Sequence, residues 1–135
     1  MFKRFLIAFC IVLTATGAIY VAAIVALFHG LTHADPYPPF MANYQRLRGE
    51  GTYMRAMRAF SEFVSDTFPI GSNAEQAVAL ITSQGFHILP STAASFQLLW
   101  ARHAGPCSER YFIVIRQGED GSIVEAKGQL NPACL

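Results

Sequence analysis

Charged residues are scarce in this chain, 14% of 135 residues, and they are nearly missing from its start. Lys3 and Arg4 are the only charges before Asp35. Beyond that point neither sign dominates: eight Lys and Arg stand against nine Asp and Glu. A portion so close to neutral has no field suited to gripping nucleic acid, so no nucleic-acid partner is expected. Catalytic signatures are missing too. There is no G-x-S-x-G, no phosphate-binding glycine loop, no C-x-x-C and no H-E-x-x-H. His87 and His103 can be combined on paper with Ser91, Ser95 or Asp120, but no spacing supports a triad. The expectation is a non-enzymatic protein with no catalytic residue, no cofactor and no metal site. Disorder is a poor reading, because Phe, Tyr, Ile, Leu and Val suffice for a core. Length allows one domain and an anchor.

What the start of the chain does hold is a hydrophobic run. Phe5 to Phe28 is 24 residues without a charge. As a helix at ~1.5 Å per residue it spans roughly 36 Å, more than the ~30 Å hydrocarbon core of a bilayer. A secretory leader has a shorter apolar region, usually ~7–15 residues. The run therefore predicts a transmembrane signal-anchor over residues 1–34. Thr32-His33-Ala34 could pass as a weak cleavage site, which leaves a long cleaved leader as the alternative. Cys10 follows Phe9, where a lipidation site wants a small residue. Lys3 and Arg4 place the N-terminus in the cytoplasm and the rest of the chain outside. Thr14, Thr16, Gly17 and Ala18 make one stretch small, which suits helix packing in lipid or is ordinary anchor composition. His29 and His33 are spaced to share a helix face, but no third ligand is evident, and interfacial histidines need no metal.

Asp35-Pro36-Tyr37-Pro38-Pro39 reads as a stiff linker over 35–39, leading into a domain over 40–135. Phe40 to Phe68 has helical spacing of Met41, Tyr44, Leu47, Met54, Met57, Phe60, Val64 and Phe68, expected as core. Gly49-Glu50-Gly51 breaks the run into two helices or a kinked one. Arg46, Arg48, Arg55 and Arg58 cluster there. They are candidate membrane-surface contacts, each worth roughly 1 kcal/mol on an anionic surface; the alternative is a solvated face. Ser72-Asn73-Ala74-Glu75 fits a capping box with Ser72 as the cap, opening a helix over 73–84 that Gly85 stops.

After Pro90 the period changes to two. Ser95 to His103 and Arg110 to Arg116 alternate as strands, with Trp100 expected in the core. Gln117 to Gly121 reads as a hairpin turn, and Ser122 to Ala126 leads a return strand. The fold class expected is α+β: a transmembrane helix, then two or three helices packed on a three-stranded antiparallel meander. Cys107 precedes the second strand and Cys134 lies near the end of the third. In an oxidising compartment their disulfide is the natural reading; free thiols or an intermolecular bond are the alternatives.

Two stretches carry a resemblance: Ile70-Gly71-Ser72-Asn73-Ala74-Glu75-Gln76-Ala77-Val78, a glycine before a capped helix, and Asp120-Gly121-Ser122-Ile123-Val124 in the last hairpin. With the helix–helix–meander order they resemble the small periplasmic SmpA/OmlA-type modules of outer-membrane β-barrel assembly. The chain departs from them in lacking a suitable lipidation cysteine. The stretch from Phe68 to Phe86 also resembles small exported proteobacterial proteins. The resemblance implies a bacterial envelope setting, with the C-terminal domain periplasmic. The function expected is an accessory or assembly subunit of a larger inner-membrane complex, with an integral-membrane protein as partner. The alternative is a free-standing periplasmic domain binding lipid headgroups or envelope polymer.

Overall fold

The computed structural model describes residues 2–49 and 51–134, with side chains described over 14–30, 32–49 and 51–134. The chain divides into two units, residues 1–33 and 34–135.

The first unit is one helix, α1 (Phe2–Thr32). Its described apolar side chains are exposed on every side: Ile19, Tyr20, Val21, Val25, Leu27 and Phe28 are 60–71% exposed. Among the described residues no helix is long and apolar enough to cross a membrane. This corrects the expected transmembrane signal-anchor. Lys3, Arg4, Cys10 and the first part of the expected span, residues 5–13, lie outside the described side chains. The fifteen that remain to Phe28 make roughly 22 Å of helix, short of the ~30 Å core. Thr14, Thr16 and Gly17 dilute that stretch further.

The second unit is α+β. A 3-10 turn (Pro39–Met41) runs into α2 (Ala42–Arg48), followed by α3 (Tyr53–Thr67) and α4 (Ala74–Ser83). Four strands follow, β1 (His87–Leu89), β2 (Ser95–Ala104), β3 (Cys107–Gln117) and β4 (Ile123–Cys134), in one antiparallel sheet of order β1-β2-β3-β4. The three-strand expectation is thereby corrected to four. β1 is only three residues long, too short to show an alternation, and exists because it pairs with Gln97–Leu99 of β2.

Strand alternation decides the core. Phe96, Ile115 and Ala126 stand side by side on one face, then Leu98, Ile113 and Gly128, then Trp100, Tyr111 and Leu130. The helices cover this face. α3 turns Ala56, Ala59, Phe60, Phe63 and Val64 inward, and α4 turns Ala74, Ala77, Val78 and Ile81 inward. Gly128 lets α3 approach β4: a Cβ there would come within 2.7 Å of the Phe60 carbonyl oxygen and of Val64. Trp100 is partly buried, its ring centroid 5.3 Å from that of Tyr111. The expected helical stripe is only partly core: Met41, Tyr44, Phe60, Val64 and Phe68 are buried, whereas Leu47, Met54 and Met57 are 53%, 74% and 37% exposed. The backbone break at Gly49 (φ +54°) resets the helical phase between α2 and α3.

The capping box is also corrected. Asn73, one residue beyond Ser72, caps α4, its Oδ1 accepting from the Gln76 N–H at 2.9 Å. Ser72 is otherwise engaged. Its hydroxyl donates to the Pro69 carbonyl, and its own carbonyl accepts from the Ile123 N–H at 2.7 Å. The Gly71 N–H donates to Ile123 and the Ala74 N–H to Gly121, so the entry to α4 is stitched to the β3–β4 hairpin. Gly85, at φ +90°, ends α4, and Phe86 folds back into the core as its position suggests.

Candidate functional site

The row of inward positions on β3 does not stop at Tyr111. The next inward residue is Glu109, which is fully buried and sits between Arg102 of β2 and Pro132 of β4. A lone carboxylate there would be very costly, so its partners decide the site. Arg48, at the end of α2, grips it with both nitrogens: Nη2 donates to Oε1 at 2.7 Å and Nη1 to Oε2 at 3.1 Å. The Tyr111 hydroxyl donates to Oε2 at 2.7 Å. Arg102 Nε lies 2.9 Å from the same oxygen, but its N–H finds no aligned acceptor, so that contact is coulombic.

A ring of aromatics closes the cluster. The Tyr37 hydroxyl is 3.0 Å from that of Tyr111 and accepts from Arg48; the Tyr44 hydroxyl is 3.5 Å from that of Tyr111. The Arg102 guanidinium stacks 4.0 Å from the centre of the Tyr37 ring. Its Nη1 also donates to the Asp35 carbonyl at 2.9 Å, while the Asp35 carboxylate accepts from the His103 N–H at 2.7 Å. Residues 35–39, which read as a spacer, thus run along the end of β2 and deliver Tyr37 to the site.

Burial works against the Glu109 charge, but the hydrogen bonds from Arg48 and Tyr111 and the two guanidinium charges outweigh it and hold the carboxyl below its usual range. Burial pushes the Tyr44 phenol up to about 12 and pushes Tyr111 up as well. Burial also opposes the Arg48 charge, and the hydrogen bond to Glu109 more than restores it. The cluster therefore holds one carboxylate between two arginines beneath neutral tyrosines.

Cys107 and Cys134 face each other across β3 and β4, joined by a disulfide with a Cα–Cα distance of 4.0 Å. It clips the sheet two residues from Glu109. Of the four arginines read as surface contacts, Arg46, Arg55 and Arg58 are exposed on α2 and α3. Arg48 departs from them: it points inward to Glu109 and only 20% of its side chain is exposed. His87 and His103 are exposed on separate strands. The rings of His29 and His33 stack at 5.3 Å, and among the described residues no group of three or more metal-ligating side chains could hold an ion.

The strand expected over Arg110 to Arg116 leaves out Glu109, because β3 extends back to Cys107. The signal was present: Glu109, Tyr111, Ile113 and Ile115 form one period-two series.

No family model, no curated protein and no solved structure matches this chain.

Proposed function

We propose that this protein is a non-enzymatic interaction module, an accessory or assembly subunit of a larger complex at the bacterial inner membrane. α1 supplies the surface that meets an integral-membrane partner. The unit over 34–135 is presented on the oxidising, periplasmic side. The observation that carries the reading is the exposure of α1: Val21, Val25, Leu27 and Phe28 are each at least 60% exposed. A helix that is apolar all round belongs inside something larger. The Cys107–Cys134 disulfide supports an oxidising compartment. The SmpA/OmlA-type resemblance fits an assembly role.

Purification of the tagged full chain in mild detergent tests this. The expected outcome is co-purification of a stoichiometric integral-membrane protein. Val21→Lys with Val25→Lys should abolish it while the disulfide-linked unit stays folded by circular dichroism. Recovery of this chain alone, or a partner retained by the double variant, overturns the reading.

A further inference from the structure

The outer face of α2 and α3 combines two features that the fold itself does not use. One shallow hollow of about 500 Å³ is lined by Leu47, Met54, Arg55, Arg58, Ala59 and Glu62. A second, of about 330 Å³, is lined by Asn43, Arg46 and Leu47, so Leu47 joins the two. Leu47 and Met54 are 53% and 74% exposed, whereas Tyr44 of α2 and Phe60, Phe63 and Val64 of α3 are buried in the core. Arg46, Arg55 and Arg58 surround them, and Glu62 is the one acidic side chain among the described residues lining either hollow. Among the described residues Arg46, Arg55, Arg58 and Glu62 join no ion pair; Arg46 only donates to the Asn43 side chain. Arg48, the fourth arginine of the segment, is spent on Glu109.

We infer that this face is a peripheral docking site for an anionic phospholipid surface. Arg46, Arg55 and Arg58 would contact headgroup phosphates, and Leu47 and Met54 would enter the headgroup–acyl boundary. Guanidinium forks match phosphate oxygens. Exposed apolar side chains set among cations are the combination by which amphipathic helices bind an anionic interface, since apolar burial and charge attraction add. A shallow face suits a surface better than an enclosed small ligand. The inference stands apart from the partner proposed for α1, and the two fail separately: one is read by co-purification, the other by headgroup dependence.

The full chain is mixed with phosphatidylglycerol or phosphatidylcholine vesicles, and amide hydrogen exchange is followed over residues 42–62. α1 is the same in both arms, so the difference reads headgroup charge. Slowed exchange is expected with phosphatidylglycerol alone. Arg55→Gln with Arg58→Gln should raise the lipid concentration for half-protection about 25-fold, and Leu47→Gln with Met54→Gln should also raise it. Arg116→Gln, on the sheet, should leave it unchanged. These positions are exposed, and circular dichroism checks that each variant is folded. Equal protection by both lipids, or an Arg55/Arg58 variant that behaves as the parent, overturns the inference. So does equal protection by inorganic phosphate or by polyglutamate, which would assign the face to a free anion or an acidic protein.

Discussion

α1 and the unit over 34–135 place their chemistry in opposite ways. On α1 the apolar side chains lie outside, with Ile19 70% and Phe28 63% exposed. In the larger unit a carboxylate lies inside, with Glu109 at 0% exposure. Both invert the usual distribution, and the inversions resolve differently. Glu109 finds its partners within the fold, in Arg48, Arg102 and Tyr111. A single helix cannot cover its own apolar surface, which is the ground for the partner proposed for α1. What decides whether a group is tolerated is the set of partners around it, not its residue type alone.

The sharpest way to break the comparison is to remove the buried charge. Glu109→Ala leaves Arg48 and Arg102 facing each other without a counter-charge, and should destabilise the unit by about 3–5 kcal/mol in urea unfolding. If the loss were under about 1 kcal/mol, Glu109 would be no more consequential than a surface residue. The carboxyl is held below its unfolded value, so its contribution is complete above about pH 4.3. It is lost as pH falls through the lower folded value. Acid titration of stability should therefore show a step in the parent that Glu109→Gln lacks. Tyr44 behaves in the opposite sense. Its phenol is raised to about 12, so its contribution is complete below about pH 10 and lost as pH rises through that folded value. The part of the tyrosinate absorbance that Tyr44→Phe removes should appear together with unfolding.

Opening the disulfide comes next. Cys107 and Cys134 are 27 residues apart in sequence, and a loop of that size is worth roughly 3–4 kcal/mol in the chain-entropy model. Cys107→Ser with Cys134→Ser should lower the urea midpoint accordingly. A variant as stable as the parent would mean that the Glu109 cluster alone holds that end of the sheet.

Gly128→Ala should cost about 1–3 kcal/mol, because its methyl meets the Phe60 carbonyl across the α3–β4 contact. The smallest effect is expected at the cap: Asn73→Ala should cost about 1 kcal/mol. Ser72→Ala should cost less, since its hydroxyl satisfies a turn carbonyl outside the helix. The reverse order would restore Ser72 as the cap.

The parts legible in the sequence are those with a local cause. The two long alternations gave β2 and β3, the Gly85 stop gave the end of α4, and the positions of the two cysteines suggested their pairing. The parts that were not legible depend on distant partners. β1 needs β2 to exist as a strand. Asn73 displaces Ser72 as cap because the β3–β4 hairpin claims the Ser72 backbone. Arg48 looked like its neighbours Arg46, Arg55 and Arg58 until a strand far along the chain brought Glu109 to it. The apolar run at the start was legible as hydrophobic, but over its described part it does not reach the length and apolarity of a span.

By itself the sequence determined the α+β class, the apolar character of the start of the chain and the near-neutral balance of the rest. Periodicity and composition are written along the chain and need no partner to be read. Only the tertiary structure decided which arginine is buried, which residue caps α4 and where the acidic group of the core lies. Those outcomes depend on pairings across tens of residues, set by strand register and helix phase rather than by local propensity.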